Sequence, residues 1–231
     1  MSINKENELF ENPEALQEQL SNTTEFVQKN KNIFIYGIGA VAVVIGGFFF
    51  WKYYTAKKEV EAAKAIYVAE DYFRKDSFNL ALKGDGKNKG FEAVANNFSG
   101  TTSGEMANFY MGIIELKNGK FAEAAKHLEE YNTGAFLVQA RAYALAGDAY
   151  SEQGKVEEAI KYYTKASESE PNKEFTPQYM MKLALAHEDS KQYSEAVLVY
   201  EKIISEYPFS DQIDDAKKYL AKAQYIASKK N

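Results

Sequence analysis

The chain has no cysteine, four prolines, one tryptophan and two histidines in 231 residues. Without cysteine there are no disulfides, no thiolate metal sites and no lipid-modified cysteine to act as an anchor. So little proline, beside 45% hydrophobic and 26% charged residues, suits a folded helical domain and not a disordered tail. No run of like charge is long enough to grip phosphate. Beyond residue 54 the chain carries 24 basic and 27 acidic residues, a net charge of −3, which speaks against nucleic acid as a partner. Catalytic signatures are as scarce. There is no nucleophile elbow, and the glycine-rich stretch GDGKNKG (84–90) lacks both the Gly-Lys-Ser/Thr ending of a phosphate loop and the ligand spacing of a calcium loop. It reads as a turn. His127 and His187 have no carboxylate pattern around them that makes a metal site. The expectation is a protein with no catalytic residues, no cofactor, no metal and no small-molecule substrate.

What the chain does have is one long apolar run. Nineteen residues from Ile33 to Trp51 carry no formal charge, and as a helix they extend about 28 Å, close to the hydrocarbon thickness of a bilayer. A cleaved signal peptide fits poorly. Its apolar region is shorter and ends in small residues, whereas this one ends in Phe48, Phe49, Phe50 and Trp51 behind a leader with three Lys and six Glu. Trp51, Tyr53 and Tyr54 around Lys52 have the makings of an interfacial belt, with rings at the headgroups and an ammonium that snorkels outward. Residues 33–54 are therefore expected to be a membrane anchor in contact with lipid. Lysines near the span number two before it (Lys29, Lys31) and four after it (Lys52, Lys57, Lys58, Lys64). By the positive-inside rule alone this favours a cytoplasmic C-terminal part, although long domains translocate largely regardless of such charges.

The remainder repeats. Gly112, Gly119 and Ala124 recur 35 residues later as Gly147, Gly154 and Ala159, and Ala159, Tyr163 and Pro171 recur 37 residues later as Ala196, Tyr200 and Pro208. A period in the mid-thirties with small residues and aromatics at fixed offsets signals stacked helical pairs, each unable to bury its apolar face alone. Gly147–Pro171 (GDAYSEQGKVEEAIKYYTKASESEP) resembles the later part of helix A, the turn and helix B of a tetratricopeptide repeat. The preceding unit has Glu115 at the helix A aromatic position and Tyr131 at the late alanine, and the following one has Lys191 where a turn glycine belongs. The expected fold is all-α: a single N-terminal transmembrane helix followed by a tetratricopeptide α-solenoid of about three to four helical pairs. Its parts are a tail (1–32), the anchor (33–54), a linker helix with a degenerate first repeat (55–104), three units (105–210) and a capping helix (211–231). Within the linker, Asp76–Ala81 reads as a capped helix restart; in the tail, Leu9, Phe10, Leu16 and Leu20 suggest a small interfacial helix.

In tetratricopeptide folds the A helices form the inner face. Carried over by alignment, this places Met106, Phe109, Ile113 and Leu116, then Arg141, Ala144, Asp148 and Ser151, then Gln178, Met181, Leu185 and Glu188 on a protein-binding groove. The first strip is apolar, which suits loose capture of unfolded hydrophobic segments; the alternative is that these side chains are simply core or are covered by the N-terminal helices. The Lys and Asn set that clamps a free C-terminal carboxylate in some relatives is missing, since Phe109 and Ile113 occupy two of its positions. The whole arrangement resembles the YfgM-like ancillary subunits of the Sec translocon, and the stretch DSFNLALKGDG (76–86) is similar to that of a bacterial membrane tetratricopeptide group. The resemblance implies a bacterial inner-membrane protein with a cytoplasmic N-terminus and a periplasmic repeat domain. It also implies protein partners: Sec translocon components, periplasmic chaperones and unfolded client segments. The alternative is a scaffold for another cell-envelope complex.

Overall fold

The computed structural model describes residues 24, 26 and 28–230, so the expected helix around Leu9, Phe10, Leu16 and Leu20 lies outside the described residues. Within them the regular structure is ten helices and no strand. They are α1 (Lys31–Arg74), α2 (Phe78–Lys83), α3 (Phe91–Asn97), α4 (Thr102–Lys117), α5 (Phe121–Glu130), α6 (Phe136–Glu152), α7 (Val156–Glu168), α8 (Thr176–Asp189), α9 (Tyr193–Glu206) and α10 (Ile213–Lys230). The chain forms two compact units, residues 1–56 and 57–231. The unbroken helix α1 begins in the first and ends in the second.

In the first unit, the apolar part of α1 is long and apolar enough to cross a membrane and buries nothing within the protein. Ile33, Val43, Phe50 and Trp51 are all more than half exposed, as are Tyr53 and Tyr54. A contiguous apolar face of this extent is a liability in water and at home in lipid.

In the second unit, α1 is anchored through Ala62, Ile66 and Ala69, which pack with Leu82, Phe91, Val94, Met111 and Ile114. Phe91 stacks on Tyr110 at 4.9 Å and 10°. A polar contact fixes the register. Glu59 accepts hydrogen bonds from the Thr102 and Ser103 amides at 2.5 and 3.0 Å, so a carboxylate meets the positive end of α4, while the Thr101 side chain caps the Gly104 amide at 3.0 Å. The expected capped restart takes another form. No side chain caps α2; instead Asp76 sits at φ 52°, and the Ser77 amide reaches back to the Tyr72 carbonyl at 2.9 Å. The GDGKNKG stretch is a tight loop around Asp85, which accepts from the Lys87 and Asn88 amides and from the Tyr72 hydroxyl, at 2.9, 2.6 and 2.9 Å.

From α4 onward the helices alternate as antiparallel hairpins, each pair crossing on a small residue. A Cβ on Gly112 would lie 2.5 Å from Leu128, and one on Gly147 2.5 Å from the Tyr163 ring; the missing side chains let the backbones close on large neighbours. The three hairpin turns share one geometry. Gly119, Gly154 and Lys191 have φ of 72°, 70° and 60°. The next amide in each turn donates to the carbonyl five residues back, Lys120 to Glu115, Lys155 to Tyr150 and Gln192 to His187, as in a Schellman motif. Lysine thus takes the backbone conformation that glycine takes in the other two turns. Tyr131, 1% exposed, follows an α5 of only 10 residues, against 13 in α7. Tyr131 packs with Phe109 and Ala142, as Ala166, still within the longer α7, packs with Ala144 and Tyr179 one unit later. Finally, α10 closes the stack with Ala216 and Ala223 fully buried against Ala196, Tyr200 and Ile203.

Candidate protein-binding groove

The helices α4, α6 and α8 carry the residues facing a cavity of about 500 Å³, within the roughly 300–1,000 Å³ range of ligand clefts. Phe109 of α4 forms one wall. Leu137, Val138, Arg141, Ala144, Leu145 and Asp148 of α6 form the floor, and Phe175, Gln178, Tyr179 and Lys182 at and along α8 form the far side. The α6 residues recur at helical spacing along one face, of which α7 takes only the edge, through Ala166 beside Ala144 and the Tyr163 hydroxyl on Asp148.

Of the expected groove residues, Phe109, Arg141, Ala144, Asp148 and Gln178 line this one cavity. Phe109 is only 6% exposed and packs with Leu128, Tyr131, Ala142 and Ala146, while Met106, Ile113 and Leu116 are half-buried against the same cluster. Much of the apolar first strip is therefore spent on internal packing. Leu116 and Ser151 lie instead in a neighbouring hollow of about 450 Å³ with Lys117, Phe121 and Glu152. Met181 packs toward Met180 and Tyr200, and Leu185 is 38% exposed and lines neither hollow. Glu188 is 8% exposed and is consumed by a lock: it accepts the Tyr200 hydroxyl at 2.9 Å and the Lys222 ammonium at 2.7 Å.

Six lining residues were not expected from the sequence: Leu137, Val138, Leu145, Phe175, Tyr179 and Lys182. For Leu137, Val138, Leu145 and Lys182 the signal was present as positions three or four residues from the named ones on α6 and α8, whereas Tyr179 directly follows Gln178 and falls outside that spacing. Phe175 lies just ahead of α8. Its place depends on Asn172, whose Oδ1 accepts the Phe175 amide at 2.8 Å, a detail of the linker that helical spacing does not report.

The electrostatics of the floor are simple. Asp148 accepts from Lys182 at 2.6 Å and from the Tyr163 hydroxyl at 2.8 Å, and burial together with the Asp148 charge pushes the Tyr163 phenol well above its usual value. Arg141 is exposed, and among the described residues it makes no ion pair. Elsewhere, burial pushes the Glu115 carboxyl up to about 7 and His127, 3.7 Å away, down. The second histidine, His187, hydrogen-bonds Gln192 at 2.8 Å. Among the described residues no group of three His, Asp or Glu side chains is placed to hold a metal.

Stacked helical hairpins with a part-apolar groove along alternate helices define an α-solenoid built to present a surface to other polypeptides. Residues 83–189 match the description of a tetratricopeptide repeat-like domain, and residues 178–210 that of a tetratricopeptide repeat. Fold and matches together support a tetratricopeptide-repeat region in this chain, and such repeats suggest an interaction adaptor or scaffold. Neither match is to a catalytic family. No curated protein matches the chain significantly.

Proposed function

We propose that the protein is an adaptor anchored in a bacterial inner membrane by residues 33–54, with its repeat units at 105–210 holding segments of other proteins as they emerge from the Sec translocon and passing them to periplasmic chaperones. The observation that carries this reading is the cavity itself: an open hollow with part-apolar walls, built from three consecutive inner helices, on a chain that also carries a helix apolar enough for a bilayer. An extended segment laid across three helices meets the apolar side chains of Phe109, Leu137, Val138 and Leu145, while Asp148 and Lys182 are engaged with each other, which suits varied clients held loosely. The resemblance at 76–86 supports the placement beside the translocon and the periplasmic orientation. A photocrosslinker at Gln178 in intact cells, with a secretory chain arrested during export, tests it. Adducts to the arrested chain, together with protease digestion of the repeat region only after the outer membrane is opened, are expected. A repeat region accessible only from the cytoplasmic side contradicts the reading.

A second reading, a scaffold for another cell-envelope complex, draws on one further surface. Phe209 is 99% exposed beside a hollow of about 470 Å³ formed by Lys173, Glu174 and residues 205–210, which the groove does not include. Stoichiometric recovery of envelope proteins without Sec components or clients favours it.

A further inference from the structure

We propose that the groove selects segments in which an acidic side chain stands beside apolar ones, with Arg141 receiving the carboxylate; this rests on the reading of the groove as a polypeptide site. Three charged groups reach the cavity wall: Arg141, Asp148 and Lys182. Two of them cancel, since Lys182 lies 2.6 Å from Asp148. The third makes no ion pair among the described residues, and the carboxylate of Glu70, which shares Tyr110 with it, is held by the Tyr110 hydroxyl. The phenols within electrostatic reach of Arg141, Tyr110 and Tyr179, are both raised by burial and stay neutral at pH 7. The wall thus carries one net positive charge on a chain whose net charge is −5.

That excess decides among ligands. A purely apolar segment seated on Leu137 and Val138 strips water from the guanidinium and gives nothing in return. A basic segment is repelled. A carboxylate accepts both guanidinium N–H groups of one edge, and the groove's opposite sign to the rest of the chain favours its approach.

The test uses the full chain in lipid nanodiscs and fluorescent peptides blocked at both ends, Ser-Gly-Leu-Phe-X-Leu-Phe-Gly-Ser, with X as Glu, Gln or Lys. The Glu peptide is expected to bind about fivefold tighter than the Gln peptide, the size of one partly exposed ion pair, and the Lys peptide more weakly than either. R141Q should bring the Glu-to-Gln ratio to about one, and R141E should place the Lys peptide first. Equal binding of Glu and Gln peptides by the wild type, or an unchanged ratio in R141Q, overturns the charge selection while leaving the groove reading intact. A Gln peptide with a free C-terminus that binds as tightly as the blocked Glu peptide moves the carboxylate from side chain to chain end and also overturns it. An affinity that falls as protein concentration rises puts a second copy in the groove and does the same. Absence of binding by every peptide removes the groove reading itself.

Discussion

Where α4 crosses α5, Gly112 meets Leu128 and the contact is wholly apolar; where α6 crosses α7, Gly147 meets the ring of Tyr163, whose hydroxyl continues to Asp148. The second arrangement recurs one hairpin later. A carboxylate on the inner helix (Asp148, then Glu188) accepts a tyrosine hydroxyl from its partner helix (Tyr163, then Tyr200). It also accepts a lysine from the next inner or capping helix (Lys182, then Lys222). In the first hairpin the corresponding positions hold Ile113 and Leu128. A ring with a hydroxyl fills a crossing and also ties it to the following helix, so the later hairpins specify their neighbour through polar groups. The first is located by Glu59 at the N-terminus of α4 and by the Phe73, Phe91 and Tyr110 rings. For the groove, the lock on Asp148 pairs Lys182 and leaves Arg141 as the lining charge without an ion pair among the described residues.

The sharpest way to break the comparison is at the crossing itself. G147L drives a branched side chain into a ring that is 5% exposed and should cost about 3 kcal/mol, lowering Tm by roughly 6–12 °C in circular dichroism. An unchanged Tm means that the two helices do not meet there. Next come the locks. E188A leaves the fully buried Tyr200 without an acceptor and should cost about 2 kcal/mol in denaturant titration. D148A should cost about half that, because Asp148 is 28% exposed against 7% for Glu188 and water can replace it. The reverse order contradicts the assignment of Glu188 as the tighter lock.

Glu115 distinguishes the first hairpin further, since Tyr150 takes the matching position in the next. Burial raises the Glu115 carboxyl from 4.5 to about 7, so ionisation opposes folding. Below the unfolded value of 4.5 there is no penalty, and stability falls as pH rises from there toward about 7. E115Q should therefore gain about 1 kcal/mol at pH 8 and almost nothing at pH 4. An equal gain at both pH values points to packing and not to charge. The smallest effect belongs to the third turn. K191G relieves a left-handed lysine at φ 60° and should stabilise by about 0.5–1 kcal/mol; a loss shows that the lysine side chain contributes more than its backbone strain costs.

The hairpins were legible because small residues and rings at fixed spacing are direct records of helix crossings: Gly112, Gly147, Ala159, Tyr163 and Tyr200 each sit at one. Lys191 broke the glycine pattern without breaking the turn, since the hydrogen bonds that close it are made by the backbone. The short helices α2 and α3 were harder, because their boundaries depend on Asp85 and Asp76 contacts that no periodicity encodes. Helical spacing placed Phe109, Arg141, Ala144, Asp148 and Gln178 on faces that line one hollow, yet did not report which residues of those faces remain free. Phe109 is claimed by Tyr131 and Glu188 by Lys222, and both claims come from neighbouring elements whose approach the face alone does not report.

The central claim is that the inner helices, and not the outer surface, meet other polypeptides. Leu137 in the groove wall and Leu198 on α9 are almost equally exposed, at 56% and 60%, so a photocrosslinker at each, in the full chain in intact cells, compares place at constant accessibility. Protein adducts from position 137 that clearly exceed those from position 198 are the expected result; equal yields from the two positions contradict it.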